Sequence, residues 1–405
     1  MNVAIIGGGA AGFFAAISVK ENHKNAKVTI YEKANKVLAK VKVTGGGRCN
    51  YTNNCPNISE LVKAYPRGGK SLKKIFSIFG TQDTLNWFAQ RGVKATIQPD
   101  NCVFPKTQSS QSIIDCLVNE AKRLGVYIET ECDVKAIKQI NGQLELSLFS
   151  NKHLTKIYDK VIVTIGGQPK RDGLNWLETL GHKIESPVPS LFTFNMPNEP
   201  ITKLMGIVVE NTEVGIQGTK LKSNGPLLIT HWGMSGPAIL KLSSYGARVL
   251  SEQSYKCKVQ VNWANEPNFD LVTIELQKII KEHPNKLLAN KRAYNLQERL
   301  WLFLMEKCEL SDDKKWSEIG KKGLNKLANI LCNDQYAVEG KTTFRDEFVT
   351  CGGVSLESVD LNTLQSKTCK NLYFAGEVLD IDAITGGYNL QAAWSTGFIA
   401  GKLNE

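Results

Sequence analysis

The chain has 405 residues, of which 42% are hydrophobic, so it is long enough for two or three domains with real cores. It lacks an apolar run of the roughly 18 residues that a membrane span needs, and its apolar N-terminus has no basic region typical of a signal peptide. Ten cysteines without a C-x-x-C pair argue against a disulfide scaffold and a metal centre. We therefore expect a cytoplasmic protein with reduced thiols and no membrane association.

The formal net charge is +11. Such a charge has three explanations: an RNA partner, an anionic substrate, or a host whose proteins are generally rich in lysine. The lysines occur along the chain, which favours the last explanation. We expect a small-molecule substrate and no stable nucleic-acid partner, and the sequence does not predict an oligomeric state.

The first residues combine a strand with a glycine turn. An apolar run over residues 3–6 leads into Gly7-x-Gly9-x-x-Gly12, and a helix is expected over 10–20. Gly7 permits a tight turn, Gly9 lets the backbone approach a pyrophosphate, and Gly12 lets the helix pack closely on the strand. The start of the helix, with Ala10 and Ala11, offers N–H groups and a positive dipole end to phosphates.

A second predicted strand, residues 27–32, ends in Glu32, which lies 20 positions after Gly12. A carboxylate at this distance accepts hydrogen bonds from both ribose hydroxyls and repels a 2′-phosphate. The site should therefore hold FAD or NAD rather than NADP, and Lys33 is a further expected cofactor contact.

A glycine-rich loop follows. Three successive glycines provide N–H groups that can line a phosphate or a ring, and the neighbouring side chains add positive charge and short polar groups. The alternative is a flexible surface loop. The residues expected to contact the cofactor here are Lys40, Thr44, Gly45, Gly46, Gly47, Arg48, Cys49 and Asn50.

The run T-G-G-G-R-C-N-Y-T-N of residues 44–53 resembles the S-G-G-G-R-C-N-x-T-N signature of the BaiN-like (YhiN-like) bacterial flavoproteins, often labelled NAD(P)/FAD-dependent oxidoreductases. Thr44 stands where the family usually has Ser, and Lys42 where it usually has an apolar residue. The resemblance implies that this loop lies against FAD. It also implies reduction of a C=C bond in an enone such as a steroid-like acid.

Helical spacing predicts helices over 71–79, 81–91 and 110–124, and residues 126–165 then alternate with a period of two around an Asn141-Gly142 hairpin turn. A β-meander that returns on an apolar strand to Gly166-Gly167 is typical of FAD domains of the glutathione-reductase type. In that arrangement the backbone of Val134 approaches the adenine, and Thr164, Gly166 and Gly167 pass the pyrophosphate.

Prolines at 187 and 189 mark a domain boundary. Beyond it we expect strands over 191–195, 207–210, 212–216, 220–222 and 227–230, a helix over 238–250, and helices over 270–340. The family has a motif similar to residues 230–237, T-H-W-G-M-S-G-P, in an inserted β-barrel domain that faces the flavin. His231 is therefore a candidate acid/base or substrate anchor, although a structural histidine is equally compatible.

The chain then returns to the first domain through residues 348–354 and a buried strand over 372–380. The family has G-E-x-L-D and G-G-Y-N-L-Q-x-A at the corresponding places. A strand-end glycine lets the ribityl chain pass, and a Gly-Gly helix start directs N–H groups at the flavin edge that gains negative charge on reduction. The expected cofactor contacts are Gly376, Glu377, Asp380, Gly386, Gly387, Tyr388, Asn389, Gln391 and Ala392, with Tyr388 also a catalytic candidate.

The sequence thus predicts an α/β fold: a discontinuous Rossmann-type FAD-binding domain with a β-meander (1–188 and 345–405), an inserted β-barrel-like domain (189–262 and 325–344) and a nested helical sub-domain (263–324) that caps the active site. A second GxGxxG turn does not occur, so NAD(P)H would be a transient electron donor. We expect an FAD-dependent oxidoreductase that exchanges a hydride between flavin N5 and a substrate between the domains. An RNA-modifying flavoenzyme and a non-catalytic flavoprotein remain alternatives. A catalytic disulfide at Cys49 is disfavoured because Cys55 lies six positions away.

Overall fold

The structure of the protein, a computed structural model, describes residues 1–342 and 349–404. The strands are β1 (Asn2–Ile6), β2 (Lys27–Tyr31), β3 (Thr52–Asn53), β4 (Ala95–Ile97), β5 (Cys102–Pro105), β6 (Tyr127–Glu129), β7 (Asp133–Ile140), β8 (Gln143–Ser150), β9 (Lys152–Tyr158), β10 (Lys160–Val163), β11 (Ile184–Ser190), β12 (Thr193–Asn195), β13 (Val208–Ile216), β14 (Lys222–Thr230), β15 (Gly233–Ser235), β16 (Cys257–Asn262), β17 (Asp334–Val338), β18 (Gly340–Thr342), β19 (Val349–Val354) and β20 (Leu372–Phe374). The helices are α1 (Ala10–Asn22), α2 (Ala39–Val43), α3 (Ile58–Leu61), α4 (Gly69–Ile78), α5 (Thr81–Gln90), α6 (Gln111–Arg123), α7 (Asn175–Glu178), α8 (Pro237–Tyr245), α9 (Ala247–Glu252), α10 (Phe269–Glu282), α11 (Glu298–Lys307), α12 (Gly320–Cys332) and α13 (Tyr388–Ala400).

The chain divides into two units, residues 1–190 with 345–405 and residues 191–344. The first unit is built on a parallel sheet in the order β20-β10-β1-β2-β6. Its central strand β1 is buried on both faces from Val3 to Ile6, which explains why its sequence is continuously apolar rather than alternating. The α/β fold class predicted from the sequence is confirmed.

Helices α1 and α13 pack closely on each other in the first unit. A methyl group on Gly397 would lie 2.8 Å from the carbonyl oxygen of Ala11, and one on Gly401 would lie 2.5 Å from the side chain of Ser18. The hydroxyl of Ser18 donates to the carbonyl of Phe398 at 2.7 Å. Glycines therefore let the last helix of the chain approach the first one at backbone distance.

The remaining strands of the first unit form small antiparallel sheets. The meander predicted around Asn141-Gly142 is present as β7-β8-β9, and both turn residues have positive φ (50° and 83°), as a two-residue hairpin of type I′ requires. Strands β3, β5 and β4 form a second sheet, and β11 pairs with β19. Residue 348, which we expected to begin that last strand, lies outside the described residues.

The second unit contains a seven-stranded antiparallel sheet in the order β17-β16-β13-β14-β15-β12-β18. Within the described ranges no ladder joins β17 to β18, so hydrogen bonding does not close the sheet there into a barrel. Helices α10, α11 and α12 share one hydrophobic core with the sheet, in which Trp301 and Trp316 are fully buried. Helix α12 also crosses residue 324, where we had placed the end of a helical sub-domain.

Several predicted element boundaries differ from the structure. The two strands expected over 207–210 and 212–216 form one strand, β13, because a bulge between Val209 and Thr212 absorbs the expected break. The predicted helix over 238–250 is two helices separated at Gly246. A methyl group on Gly246 would lie 2.9 Å from the side chain of Ile216, so the glycine allows close packing there. The glycine-rich loop is preceded by α2, a single turn too short to give a periodic signal. None of the described helices is long and apolar enough to cross a membrane.

Candidate functional site

The glycine turn between β1 and α1 leaves open space at the start of the helix. Gly7 has φ +111°, and a methyl group on it would overlap the carbonyl of Thr164. A methyl group on Gly12 would overlap the carbonyl oxygen of Gly7. Gly9, the N-cap of α1, has no described atom within 4 Å of such a methyl group. The helix N-terminus therefore faces a cradle that no described side chain fills, which fits the pyrophosphate of FAD.

Thr164 and Glu32 fix this turn from two sides. The buried hydroxyl of Thr164 donates to the carbonyls of Ile6 and Gly7 at 3.0 and 2.9 Å. The carboxylate of Glu32 accepts the N–H of Gly8 on one oxygen and the N–H of Ala34 on the other, both at 2.8 Å. Each carboxylate oxygen retains a second lone pair, so these bonds are compatible with ribose hydroxyls. Lys33 lies beside them and is exposed.

The loop after α2 takes a conformation that its glycines allow. Gly45, Gly46 and Gly47 have φ values of +61°, +67° and +82°, and a methyl group on Gly46 would meet no described atom within 4 Å. The hydroxyl of Thr44 donates to the carbonyl of Lys40 at 2.7 Å. The guanidinium of Arg48 lies 4.3 Å from the centroid of the Phe104 ring. The loop thus presents bare backbone flanked by cations.

The C-terminal Gly-Gly turn closes on the end of this loop. The amide of Asn53 donates to the carbonyl of Gly386 at 3.1 Å, and the hydroxyl of Thr52 donates to the side-chain oxygen of Gln391 at 2.5 Å. Gly387 has φ +85°, and a methyl group on it would overlap the carbonyl of Thr52. Two motifs more than 330 positions apart in the chain are therefore neighbours.

Some residues expected to contact the cofactor use their side chains inside the protein. Asn389 accepts from the N–H of Ala383 at 2.9 Å and donates to its carbonyl at 3.1 Å. Gln391 is fully buried and donates to Ser395 at 2.9 Å, besides accepting from Thr52. Asn50 accepts the N–H of Val103 at 3.2 Å. These three side chains hold the loops in place, and Ala392 is nearly buried beside them.

A polar cluster lies where β10 and β20 end. The carboxylate of Glu377 accepts the N–H of Thr350 at 2.9 Å and the ammonium of Lys40 at 3.2 Å. A methyl group on Gly167 would lie 2.8 Å from Glu377, and one on Gly376 would lie 2.8 Å from Ala11. The hydroxyl of Thr350 is buried without a hydrogen-bond partner among the described residues. This hydroxyl lies next to Gly167, and Gly166 before it has φ +72°. A buried hydroxyl without a partner at such a turn fits the hydroxyls or phosphates of FAD.

Sequence reasoning missed a buried ion pair behind the C-terminal turn. Arg67 makes two hydrogen bonds to the fully buried carboxylate of Asp382, which also accepts the hydroxyl of Ser190 at 2.7 Å. Burial raises the pKa of Asp382, and the pairing with Arg67 opposes that rise. The hydroxyl of Tyr65 donates to the carbonyl of Tyr388 at 2.6 Å. The segment from Tyr65 to Arg67 therefore holds the loop that ends in Gly387.

The other predicted residues are placed as follows. Asp380 donates its N–H to the carbonyl of Val354 at 2.9 Å, and Val134 is buried on β7 beside a bulge. Tyr388 is half-buried, with its ring centroid 6.1 Å from that of Tyr65. His231 belongs to the second unit. It is exposed on the two-residue turn between β14 and β15 and its ring meets that of Trp232 edge-on at 4.5 Å.

Cys49 has the wrong environment for a redox thiol. It is fully buried, and burial raises its pKa to about 12. The thiolate is the reactive form of cysteine, so this side chain stays an inert thiol near neutral pH.

We expect Cys49 in the native protein to resist a thiol reagent at about pH 8, where a thiol of ordinary pKa is partly ionised. Cys55, which is partly exposed, is the internal control and should be labelled first. Peptide mapping after timed labelling measures both. Labelling of Cys49 as fast as Cys55 would show that the thiol is accessible and would reopen a redox role.

The comparisons with known proteins agree with this geometry. The sequence profile of the HI0933-like protein Rossmann domain matches residues 1–403. The chain is 28% identical to the 3-dehydro-bile acid delta(4,6)-reductase of Clostridium scindens, over 99% of this chain and 98% of that protein. It is also 28% identical to the ribosomal RNA dihydrouridine synthase of Escherichia coli, over 97% and 95% of the two chains. The 3-ketosteroid delta1-dehydrogenase of Sterolibacterium denitrificans is similar in structure, with a TM-score of 0.52, 11% identity and 98% of both chains covered.

The fold, the site and these relatives define the protein as a nucleotide-binding flavoprotein oxidoreductase with a Rossmann-type FAD fold. The chain belongs to the HI0933-like family. The resemblance to BaiN-like flavoproteins expected from the T-G-G-G-R-C-N run is confirmed.

Proposed function

We propose that the protein is an FAD-dependent reductase that adds hydrogen across a carbon–carbon double bond conjugated to a carbonyl. The Clostridium scindens relative is named for reduction of such a bond in a 3-dehydro-bile acid, and the Escherichia coli relative for the saturation of uridine. The uracil C5=C6 bond is also conjugated to a carbonyl, so one reaction type covers both names. An enone of steroid-like shape is the first candidate substrate, and the reaction takes place in the cytoplasm.

The observation that carries this proposal is the convergence of five glycine-containing segments of the first unit on one cradle. They are the turn at Gly7–Gly12, the loop at Gly45–Gly47, the ends of β10 and β20, and the turn at Gly386-Gly387. The chemistry that FAD supplies when bound is hydride transfer from N5 to the β-carbon of the substrate, with electrons that originate from NAD(P)H and a proton that reaches the α-carbon. The chain has one GxGxxG turn, so the nicotinamide binds transiently.

The residues of the chain have separable roles in this proposal. The start of α1 binds the pyrophosphate, Glu32 binds the ribose, and Lys40 compensates the charge of Glu377 near the phosphates. The loop at 44–48 and the start of α13 bind the flavin ring. The helix dipole of α13 stabilises negative charge on that ring. Tyr388 and His231 are the candidate proton donors.

A second candidate substrate is a uracil base in RNA. It is favoured by the position of the positive charge. Residues 1–106 contain 16 lysines and arginines against 5 aspartates and glutamates, whereas the rest of the chain contains 34 of each. Lysines and arginines occur along the whole chain, as expected, but the net positive charge comes from residues 1–106, where acidic residues are sparse.

Anaerobic reduction and reoxidation test the proposal. NADH or NADPH should bleach the visible flavin band of the purified protein, and a 3-oxo-Δ4 steroid acid or a uridine-containing RNA should restore it with formation of the saturated product. Reoxidation by neither compound, with rapid reoxidation by oxygen or a quinone instead, would contradict C=C reduction.

A further inference from the structure

A continuous line of exposed cations leads away from the glycine-rich loop in the first unit. Lys42 donates to the side chain of Gln111 at 2.7 Å, and its carbonyl accepts the hydroxyl of Ser110 at 2.8 Å, so α2 and the start of α6 are joined. Gly47 accepts the N–H of Ser110 at 2.9 Å. Arg48, next in sequence, covers the ring of Phe104 on β5.

The line continues across β5 into a cleft. The N–H of Lys106, just after β5, bonds to the carbonyl of Lys94, just before β4, at 2.7 Å. Both lysines are exposed and line a cleft of 910 Å³ between the ends of α5 and β5 and the outer face of α6. Arg91 and Arg123 line it as well. We define Lys42, Arg48, Lys94, Lys106 and Arg123 as the basic track.

Acidic residues pair with the arginines of the cleft, where Arg91 also binds Glu21 at 2.6 Å, but not with its lysines. The cleft contains two carboxylates, Asp115 and Glu120. Glu120 is paired with Arg123 at 2.8 Å and with Arg91 at 3.1 Å, and those arginine contacts lower its pKa. Lys94 and Lys106 form no ion pair with any described residue. Two exposed ammonium groups thus lie beside a groove, as in surfaces that follow a phosphodiester backbone.

We infer that the basic track is a docking surface for the phosphate backbone of an RNA, which it guides toward the glycine-rich loop at Gly45–Gly47. The inference rests on the second candidate substrate of the proposed function. Its support is the excess of cations in residues 1–106, the position of four of them in the basic track between the loop and the cleft, and complementarity to a polyanion of regularly spaced charges.

Fluorescence anisotropy with a labelled, uridine-containing RNA stem-loop tests the docking surface. The variant Lys94→Ala/Lys106→Ala should lower the salt dependence of log K by about 2, roughly one per lysine–phosphate contact. The control Lys278→Ala/Lys281→Ala removes the same charge from the exposed side of α10 and should bind RNA like the wild type. Both variants should keep their FAD and their rate of flavin reduction.

Three results would overturn the inference: wild-type protein that does not bind the stem-loop at about 0.15 M salt, equal loss of binding in both variants, or binding to vesicles of phosphatidylglycerol in place of RNA. Failure of the proposed function looks different. RNA binding that depends on Lys94 and Lys106 without saturation of uridine would uphold the surface and reject uridine as the substrate that is reduced.

Discussion

Replacing Gly9 with alanine is expected to give a folded but colourless protein. The backbone of Gly9 (φ −91°, ψ −168°) is accessible to alanine, and the added methyl group meets no described atom within 4 Å. It would, however, occupy the cradle at the start of α1 and displace the pyrophosphate from two N–H groups. Hydrogen bonds to charged groups contribute about 1.5–3 kcal/mol each, so FAD affinity should fall by at least about 100-fold.

FAD content per chain after purification, from the visible flavin band, measures the effect, and the thermal midpoint of the apoprotein checks folding. Gly340→Ala on β18 is the control. Its added methyl group would lie 3.9 Å from the nearest described atom, so this variant should keep FAD bound. Gly12→Ala should lose both FAD and stability, because its methyl group overlaps the carbonyl of Gly7. Stoichiometric FAD in Gly9→Ala would show that the pyrophosphate binds elsewhere.

Replacing Arg67 with leucine should be the most destabilising single change considered. Asp382 is fully buried, and removal of its cation leaves an uncompensated charge that typically costs about 3–5 kcal/mol. Without Arg67, burial keeps the pKa of Asp382 above its unfolded value. The folded state then binds a proton more readily than the unfolded state, so the variant loses stability as pH rises from about 5 to 8.

The urea concentration at which FAD is released, detected by flavin fluorescence at both pH values, reports this loss of stability in the first unit. The double variant Arg67→Leu/Asp382→Leu should recover much of the stability, since the buried charge is gone. A single variant whose stability does not change with pH, or a double variant less stable than the single one, would mean that the ion pair is not the source of the effect.

Local signals were sufficient for the parts of the site that are continuous in sequence. The apolar run of β1, the spacing of Gly7, Gly9 and Gly12, and the acid at 32 are all contained in one βαβ unit. The Asn141-Gly142 pair likewise predicted the meander, because the preference of these two residues for a hairpin turn does not depend on the rest of the chain.

Long-range side-chain partners could not be predicted. Gln391 looks like a ligand contact in sequence, but its partner Thr52, 339 positions away, becomes a neighbour only when the loops close. The pairing of Arg67 with Asp382 joins positions 315 apart. The excess of cations in residues 1–106 was present in the sequence, and an average over the whole chain concealed it.

The close packing of α1 against α13 has a consequence for synthesis on the ribosome. Strand β1 and helix α1 emerge first, but α13, which packs on α1, and β20, the edge strand of the same sheet, are translated last. The second unit completes its own sheet and core from residues 191–344 while the first half of the FAD domain is still waiting for its final strand. The nascent N-terminal half therefore exposes apolar surface for most of translation, and it is the part of the chain with most need of a chaperone.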